Sequence, residues 1–250
     1  IMDAVSFVLL LIISFLAAIM GTMVGMAMVI MVPVMVFLGI PIHIAVATGR
    51  FSMVGIGVGN IRMLSRSQKI EPKFILPISI AGIIGTLAGA SFLRYLSENA
   101  LEKLIGIFII GISVLVLFEE KFRPKEKKHR ITFRHHALSA LAGLFLGSYV
   151  GIVGGGAATI MIFVLVLAYG LGFHQAVANQ KAAILPISII ATLVFIYQGL
   201  IDYSIGIPLF IVNILGGYLG AILIMKFKPV WLKLILVPVS IALAVKLIFF

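Results

Sequence analysis

The chain has no cysteine, a single tryptophan and only eight carboxylate side chains in 250 residues. The missing thiols exclude disulfides, cysteine nucleophiles, iron–sulfur clusters and Cys-ligated zinc together, and leave the redox compartment open. Charge of either sign is scarce: Asp, Glu, Lys and Arg make up 11% of the residues, against about a quarter in an ordinary globular domain. Apolar residues take their place. They amount to 62% with a mean hydropathy of +1.27, a composition that excludes a soluble domain. At roughly 20 residues per bilayer crossing the length allows about 12 spans, and about six to eight once loops are counted. The remaining charge is one-sided, with 19 Lys plus Arg against 8 Asp plus Glu for a net +11. In so apolar a chain this excess reads as basic cytoplasmic loops, not as a nucleic-acid surface.

The placement of the acids narrows the function further. Asp3, Glu71, Glu98, Glu102, Glu119, Glu120, Glu126 and Asp202 all fall at a terminus or between apolar stretches. An interior without Asp or Glu lacks the paired carboxylates of an intramembrane protease and the hard anionic oxygens that metal cations favour. It also lacks the acids that commonly relay protons in pumps. His43 and His174 stand at helix starts, too shallow for Ser–His catalysis at depth. The expectation is a non-enzyme without metal or cofactor.

Apolar stretches run over 5–37, 42–61, 74–93 and 101–118, then 137–171, 176–200, 205–225 and 231–250. The first lacks a basic segment before it and a cleavage site after it, so it reads as membrane structure and not as a signal peptide. The 5–37 and 137–171 stretches are too long for one span and short for two. Each is broken by glycines, Gly21 and Gly25 in the first and Gly151, Gly154, Gly155 and Gly156 in the second. Glycine breaks helices by its backbone freedom, so each stretch is expected to be a hairpin of two short helices turning inside the membrane. Non-helical backbone survives there only where protein or a watery cavity surrounds it.

The two halves repeat. Residues 131 positions apart correspond: His43-Ile-Ala45-Val46-Ala47-Thr48-Gly49-Arg50 answers His174-Gln-Ala176-Val177-Ala178-Asn179-Gln180-Lys181, Glu71 answers Asp202, and Pro77 answers Pro208. Gly85, Gly89 and Ala90 answer Gly216, Gly220 and Ala221. Such a run of rare polar residues marks a duplication. It divides the chain into a first membrane repeat (1–118), a basic cytoplasmic linker (119–136) with seven Lys or Arg against three Glu, and a second membrane repeat (137–250).

Loop charges set the orientation. The segment 62–73 carries Arg62, Arg66, Lys69 and Lys73 against one Glu71, whereas its partner 199–204 carries only Asp202. The bias then reverses: 94–103 is balanced, while 225–233 carries Lys226, Lys228 and Lys233 without an acid. If basic loops stay inside, equivalent loops lie on opposite faces and the repeats are inverted. The expected architecture is an all-α integral membrane protein of two inverted repeats. Each is a glycine-broken re-entrant hairpin plus about three transmembrane helices, and both termini lie outside. Five crossings per half is the other arithmetic solution.

Two cations lie at depth, Arg50 within 42–61 and Lys181 at the equivalent place. A charge at the bilayer centre costs about 2.5–3.5 kcal/mol on insertion scales, and no acid is available to neutralise either. Hairpin carbonyls can hold them as purely structural groups; alternatively, they line an anion path. Thr48, Gly49, Asn179 and Gln180 beside them, and backbone N–H groups at Gly25, Gly154, Gly155 and Gly156, are the candidate hydrogen-bond partners of that anion. Broken helices at corresponding places in two halves point to a transporter's binding site, although the glycines also suit tight helix packing. Lys246, Arg62 and Arg94 read as snorkelling side chains.

These residues resemble the sulfite exporter TauE/SafE family: the hairpin Gly151-Ile-Val-Gly154-Gly155-Gly156, then His174-x-Ala176-Val177-Ala178-Asn179-Gln180-Lys181, then Gln198-Gly199-x-Ile201-Asp202, with Ala45-Val46-Ala47-Thr48-Gly49-Arg50 as the degenerate first copy. The resemblance covers almost the whole chain; it departs at Met26, Ala27 and Met28, where more glycine is usual in the family. It implies a multi-pass carrier of the cytoplasmic (inner) membrane for sulfite, an organosulfonate or a related sulfur-containing anion. The resulting expectation is a secondary transporter working by alternating access, with no ATP-binding motif, and with His43 and His174 as candidates for proton coupling. An anion channel of the same architecture, or a membrane scaffold recruiting a partner through the basic linker, are the rival readings. Homodimerisation through small-residue patterns such as Gly85-x-x-x-Gly89 is left open.

Overall fold

A computed structural model describes residues 3–67, 70–118, 132–226 and 230–249. Among the described residues there are ten α-helices and no strand: α1 (Ala4–Val24), α2 (Ala27–Phe37), α3 (Ile42–Ser67), α4 (Pro72–Leu93), α5 (Glu98–Phe118), α6 (Phe133–Ile152), α7 (Ala157–Tyr169), α8 (Phe173–Tyr197), α9 (Tyr203–Lys226) and α10 (Val230–Phe249). Each half thus contributes five helices in the same order. Six of the ten (α1, α3, α4, α6, α8 and α9) are long and apolar enough to cross a membrane. Large apolar side chains such as Ile84, Ile107, Phe145, Leu193 and Leu215 stand exposed on the outer faces, where a bilayer would cover them.

The hairpins differ from expectation in their first arms. α1 has 21 residues and α6 has 20, about 30 Å each at 1.5 Å per residue, which is the thickness of the hydrocarbon layer. Only the second arms are short, with 11 residues in α2 and 13 in α7, about half that length. Two short arms had been expected because every glycine was counted as a breaker. Gly21 and Gly151 in fact remain helical, and the chain turns where φ becomes positive: at Gly25 (87°), and at Gly154 (69°) and Gly156 (76°). L side chains are strained in that region and glycine is not. Gly25 ends α1 as a left-handed cap, its N–H donating to Gly21 O.

Two other boundaries shift. α3 continues to Ser67, so Arg62 and Arg66 belong to its last turns and not to a loop. α6 begins at Phe133 with a capping box between Thr132 and His135, so the linker's last four positions are helical. Its residues 119–131 lie outside the described part of the chain.

The helices pair across the halves. α4 packs along α6 and, equivalently, α9 along α1; α3 packs along α9 and α8 along α4; α3 meets α8, and α5 meets α10. Glycine sets the closest of these contacts. A Cβ on Gly85, Gly89 or Gly147 would run into Leu144 O, Ser148 O or Gly82 O, and one on Gly220 would lie 2.7 Å from Ile19 O. Gly85-x-x-x-Gly89 therefore serves packing inside the molecule, against α6.

The contacts also give helix directions. Along α3 and α9 the sequence order matches, from Thr48 with Asp202, through Phe51 stacked on Phe210, to Ile56 against Gly217; these helices run parallel. α4 and α8 run parallel too, from Glu71 with Asn179 to Ala90 with Gln198. Likewise α1 follows α9, from Ser14 with Asn213 to Ile19 and Thr22 against Gly220.

Candidate functional site

The two hairpin tips meet inside the helix bundle. Thr159 Oγ1 of the second donates to Val24 O of the first at 2.7 Å, and Gly155 sits against Val29. Between them and the faces of α3 and α8 lies a cavity of about 70 Å3. Its lining on α3 is the stripe Arg50, Met53, Gly57 and Asn60, and on α8 it is Lys181, Ile184, Leu185 and Ser188, with Gln180 beside Lys181. Both stripes follow the helical spacing that places residues on one face. Gly21, Gly25, Ala27, Met28, Gly154, Ala157 and Ala158 close it from the hairpins. The N-terminal turns of α2 and α7 thus border the cavity, where unpaired N–H groups and the positive dipole end favour an anion.

Both deep cations reach it, and both are tied to the other half's hairpin. Arg50, 3% exposed, donates through Nη2 to Val150 O at 3.0 Å, near the C-terminus of α6. Lys181, 6% exposed, donates through Nζ to Gly21 O at 3.4 Å, near the C-terminus of α1. A helix C-terminus presents carbonyls and the negative dipole end, which partly compensates each cation. The guanidinium occupies the space that a side chain at position 154 would fill, so glycine is required there for two reasons, its positive φ and its neighbour.

Hydrogen-bonding capacity is left over. Arg50 Nε, Asn60 Nδ2, and both Gln180 Nε2 and Oε1 are buried without a partner. Gln180 is 0% exposed and Asn60 is 1% exposed. Buried polar atoms are normally paired. Their clustering on one cavity with two cations, and with no carboxylate among the described lining residues, suits a ligand that is negative and rich in acceptors.

Of the residues singled out in the sequence, Arg50, Lys181, Gln180, Gly25 and Gly154 are brought together on this cavity. Thr48, Gly49, Asn179, Gly155 and Gly156 do not line it. Thr48 Oγ1 accepts from Asp202 N at 3.0 Å, and Asn179 Oδ1 accepts from Glu71 N at 2.9 Å. These two bonds are equivalents under the repeat, each joining a helix start in one half to a loop in the other. Gly49 packs on Met28, Gly155 on Val29, and Gly156 on Ile112. His43 Nε2 bonds Leu96 O at 3.0 Å, and neither histidine lines the cavity. Lys246 lies over the Phe37 ring and Arg94 over Tyr95.

Asn60 and Ser188 went unnoticed in the sequence. Asn60 carried a signal: it is a lone amide in an apolar stretch, three helical turns from Arg50 and on the same face.

The profile of the sulfite exporter TauE/SafE family matches residues 10–247. A protein of Haemophilus influenzae named "Probable membrane transporter protein" is 23% identical over 95% of this chain and 92% of its own length. "Probable membrane transporter protein ORF9" of a Sinorhizobium species is 23% identical over 94% and 89%. "Probable membrane transporter protein YfcA" of Escherichia coli K12 is 22% identical over 95% and 87%.

Proposed function

The chain belongs to the sulfite exporter TauE/SafE family of membrane transporters, and from that premise we propose that it is a secondary carrier moving a small anion through the Arg50–Lys181 cavity. The observation that carries the reading is the pairing of two buried cations with unpartnered donors on one cavity, with no acid among its described lining residues. The carbonyl bonds at Val150 and Gly21 keep the cations in place when the cavity is empty, and an entering anion supplies the charge those dipoles balance only in part. At about 70 Å3 the cavity holds a few water molecules' worth of substrate.

Inverted repeats in the cytoplasmic membrane fit this reading. The parallel pairs α3–α9 and α4–α8 each join one half's third helix to the other half's fourth, and Pro72 and Tyr203 open α4 and α9 only a few residues after α3 and α8 end. With α3 turning back into α4 and α8 into α9, equivalent helices point in opposite directions. The short arms α2 and α7 then serve as half-helices reaching the midplane from opposite sides. Rocking the two halves about the hairpin tips exposes the cavity to one face and then the other.

The test is flux of labelled sulfite into proteoliposomes. Arg50→Ala and Lys181→Ala are each expected to lower the initial rate by about 10- to 100-fold, the loss of one charge-assisted bond. Saturable flux stimulated by internal sulfite is expected of a carrier, and linear conductance would assign a channel. Wild-type rates in both variants would sink the site.

A further inference from the structure

A second cavity opens on the outer face of the bundle and shares no lining residue with the first. It lies between the last two turns of α4 and α8, a parallel pair drawn from different halves. Near their middles these helices touch: Ser79 donates to Ala183 O at 3.2 Å, and a Cβ on Gly82 would run into Ile187. Beyond those contacts they leave a groove of about 470 Å3. Leu87, Leu193 and Val194 form apolar walls, and Arg94, Tyr197 and Gln198 stand at the rim. From Leu87 to Arg94 the helix rises about 10 Å.

The rim sits where the two helices end, at 22 residues in α4 and 25 in α8. Helices of that length cross the hydrocarbon layer, so their ends reach the level of the lipid head groups. Tyr197 is 91% exposed there, as aromatic rings at that level commonly are. Arg94 donates through Nη2 to Tyr95 Oη at 2.6 Å, with its guanidinium 4.7 Å from the Tyr95 ring centroid. Tyr95 thus holds the charge at the rim without neutralising it, and no carboxylate is among the described lining residues. Gln198 donates through Nε2 to Ala90 O at 3.1 Å, which leaves its Oε1 buried without a partner. A fixed cation and an unfilled acceptor therefore stand above an apolar wall.

We infer that this groove binds one anionic glycerophospholipid whose head group carries hydroxyls. Its phosphate lies on Arg94, a head-group hydroxyl donates to Gln198 Oε1, and an acyl chain follows Leu87 and Leu193. Basic pockets between membrane helices suit such head groups. A choline head group would bring a second cation beside Arg94 and no donor for Gln198, and free phosphate would leave the walls bare. Because α4 and α8 come from different halves, the bound lipid bridges them. The inference uses none of the residues of the anion-carrier reading and stands or falls separately from it.

The experiment titrates dioleoyl phosphatidylglycerol or dioleoyl phosphatidylcholine onto the purified, delipidated full chain in neutral detergent. Native mass spectrometry counts bound lipid, and thermal unfolding checks folding. Wild type is expected to bind one phosphatidylglycerol about 5-fold more tightly than phosphatidylcholine, the worth of one basic residue at an anionic surface. Arg94→Gln is expected to bring the two lipids level, whereas Lys103→Gln, exposed and outside the groove, keeps the preference. Leu193→Trp fills the groove and is expected to lose the bound lipid; it decides alone if Arg94→Gln fails to fold. Equal binding of the two lipids by wild type, or a preference that survives in the folded groove variants, overturns the inference.

Discussion

Thr48 and Asn179 illustrate how a residue's neighbours in sequence mislead about its neighbours in space. Both lie within two positions of a buried cation, and both carry hydrogen-bonding groups suited to an oxyanion. Helical geometry turns them elsewhere: residues one or two apart on a helix face different directions, and each meets the backbone N–H of an acidic loop position in the opposite half. Their role is to fasten the halves. Thr48→Val is expected to cost about 1–3 kcal/mol by leaving the Asp202 N–H unpaired, read as a lower unfolding temperature in detergent, while KM for the transported anion stays unchanged. An increase in KM would return Thr48 to the substrate site. Arg50 and Lys181 were legible in the sequence because a cation without an acid is conspicuous in an apolar run. Asn60 was less so, since one uncharged amide stands out only when its position is counted against Arg50 along the helix.

At the scale of elements, the same residue type does three different things. Gly25 and Gly154 turn the chain at positive φ, Gly82 and Gly147 bring α4 and α6 into backbone contact, and Gly111 on α5 has nothing within 4 Å of where a Cβ would stand. The sequence presents all of them alike, and that is why the hairpins were expected to break too early. Glycine permits a break, but whether a helix breaks depends on whether neighbouring helices pack against it as it continues. α1 and α6 are supported along their lengths by α9 and α4, so they run on past Gly21 and Gly151. The contrast is measurable. Gly147→Ala is expected to destabilise the protein by about 1–3 kcal/mol, since its methyl must displace the backbone at Gly82. Gly111→Ala is expected to be neutral or to stabilise by about 0.5–1 kcal/mol through helix propensity. Thermal unfolding of the two variants side by side checks both, and equal effects would contradict the packing assignment.

For the whole molecule the question is how two copies of one pattern face each other across a bilayer. Since the chain has no native cysteine, single cysteines report sidedness cleanly. In the inverted arrangement Ser97→Cys and Ser204→Cys react with an impermeant maleimide from outside intact cells, and Lys73→Cys reacts only after permeabilisation; all three positions are exposed. Labelling of Ser97→Cys and Ser204→Cys from opposite sides would point to parallel repeats instead. The amino-acid sequence by itself determined membrane class, helical content, the duplication and the two deep cations with no acid beside them. These follow from composition and spacing, which act locally and need no knowledge of what lies across the bundle. The tertiary structure alone decided which glycines turn, which polar side chains face the cavity and which fasten the halves, and that Asn60 shares the cavity with Lys181. Those outcomes depend on contacts between residues more than 100 positions apart, for example Arg50 with Val150 and Lys181 with Gly21. Packing and hydrogen-bond satisfaction settle such contacts only once all the helices are in place.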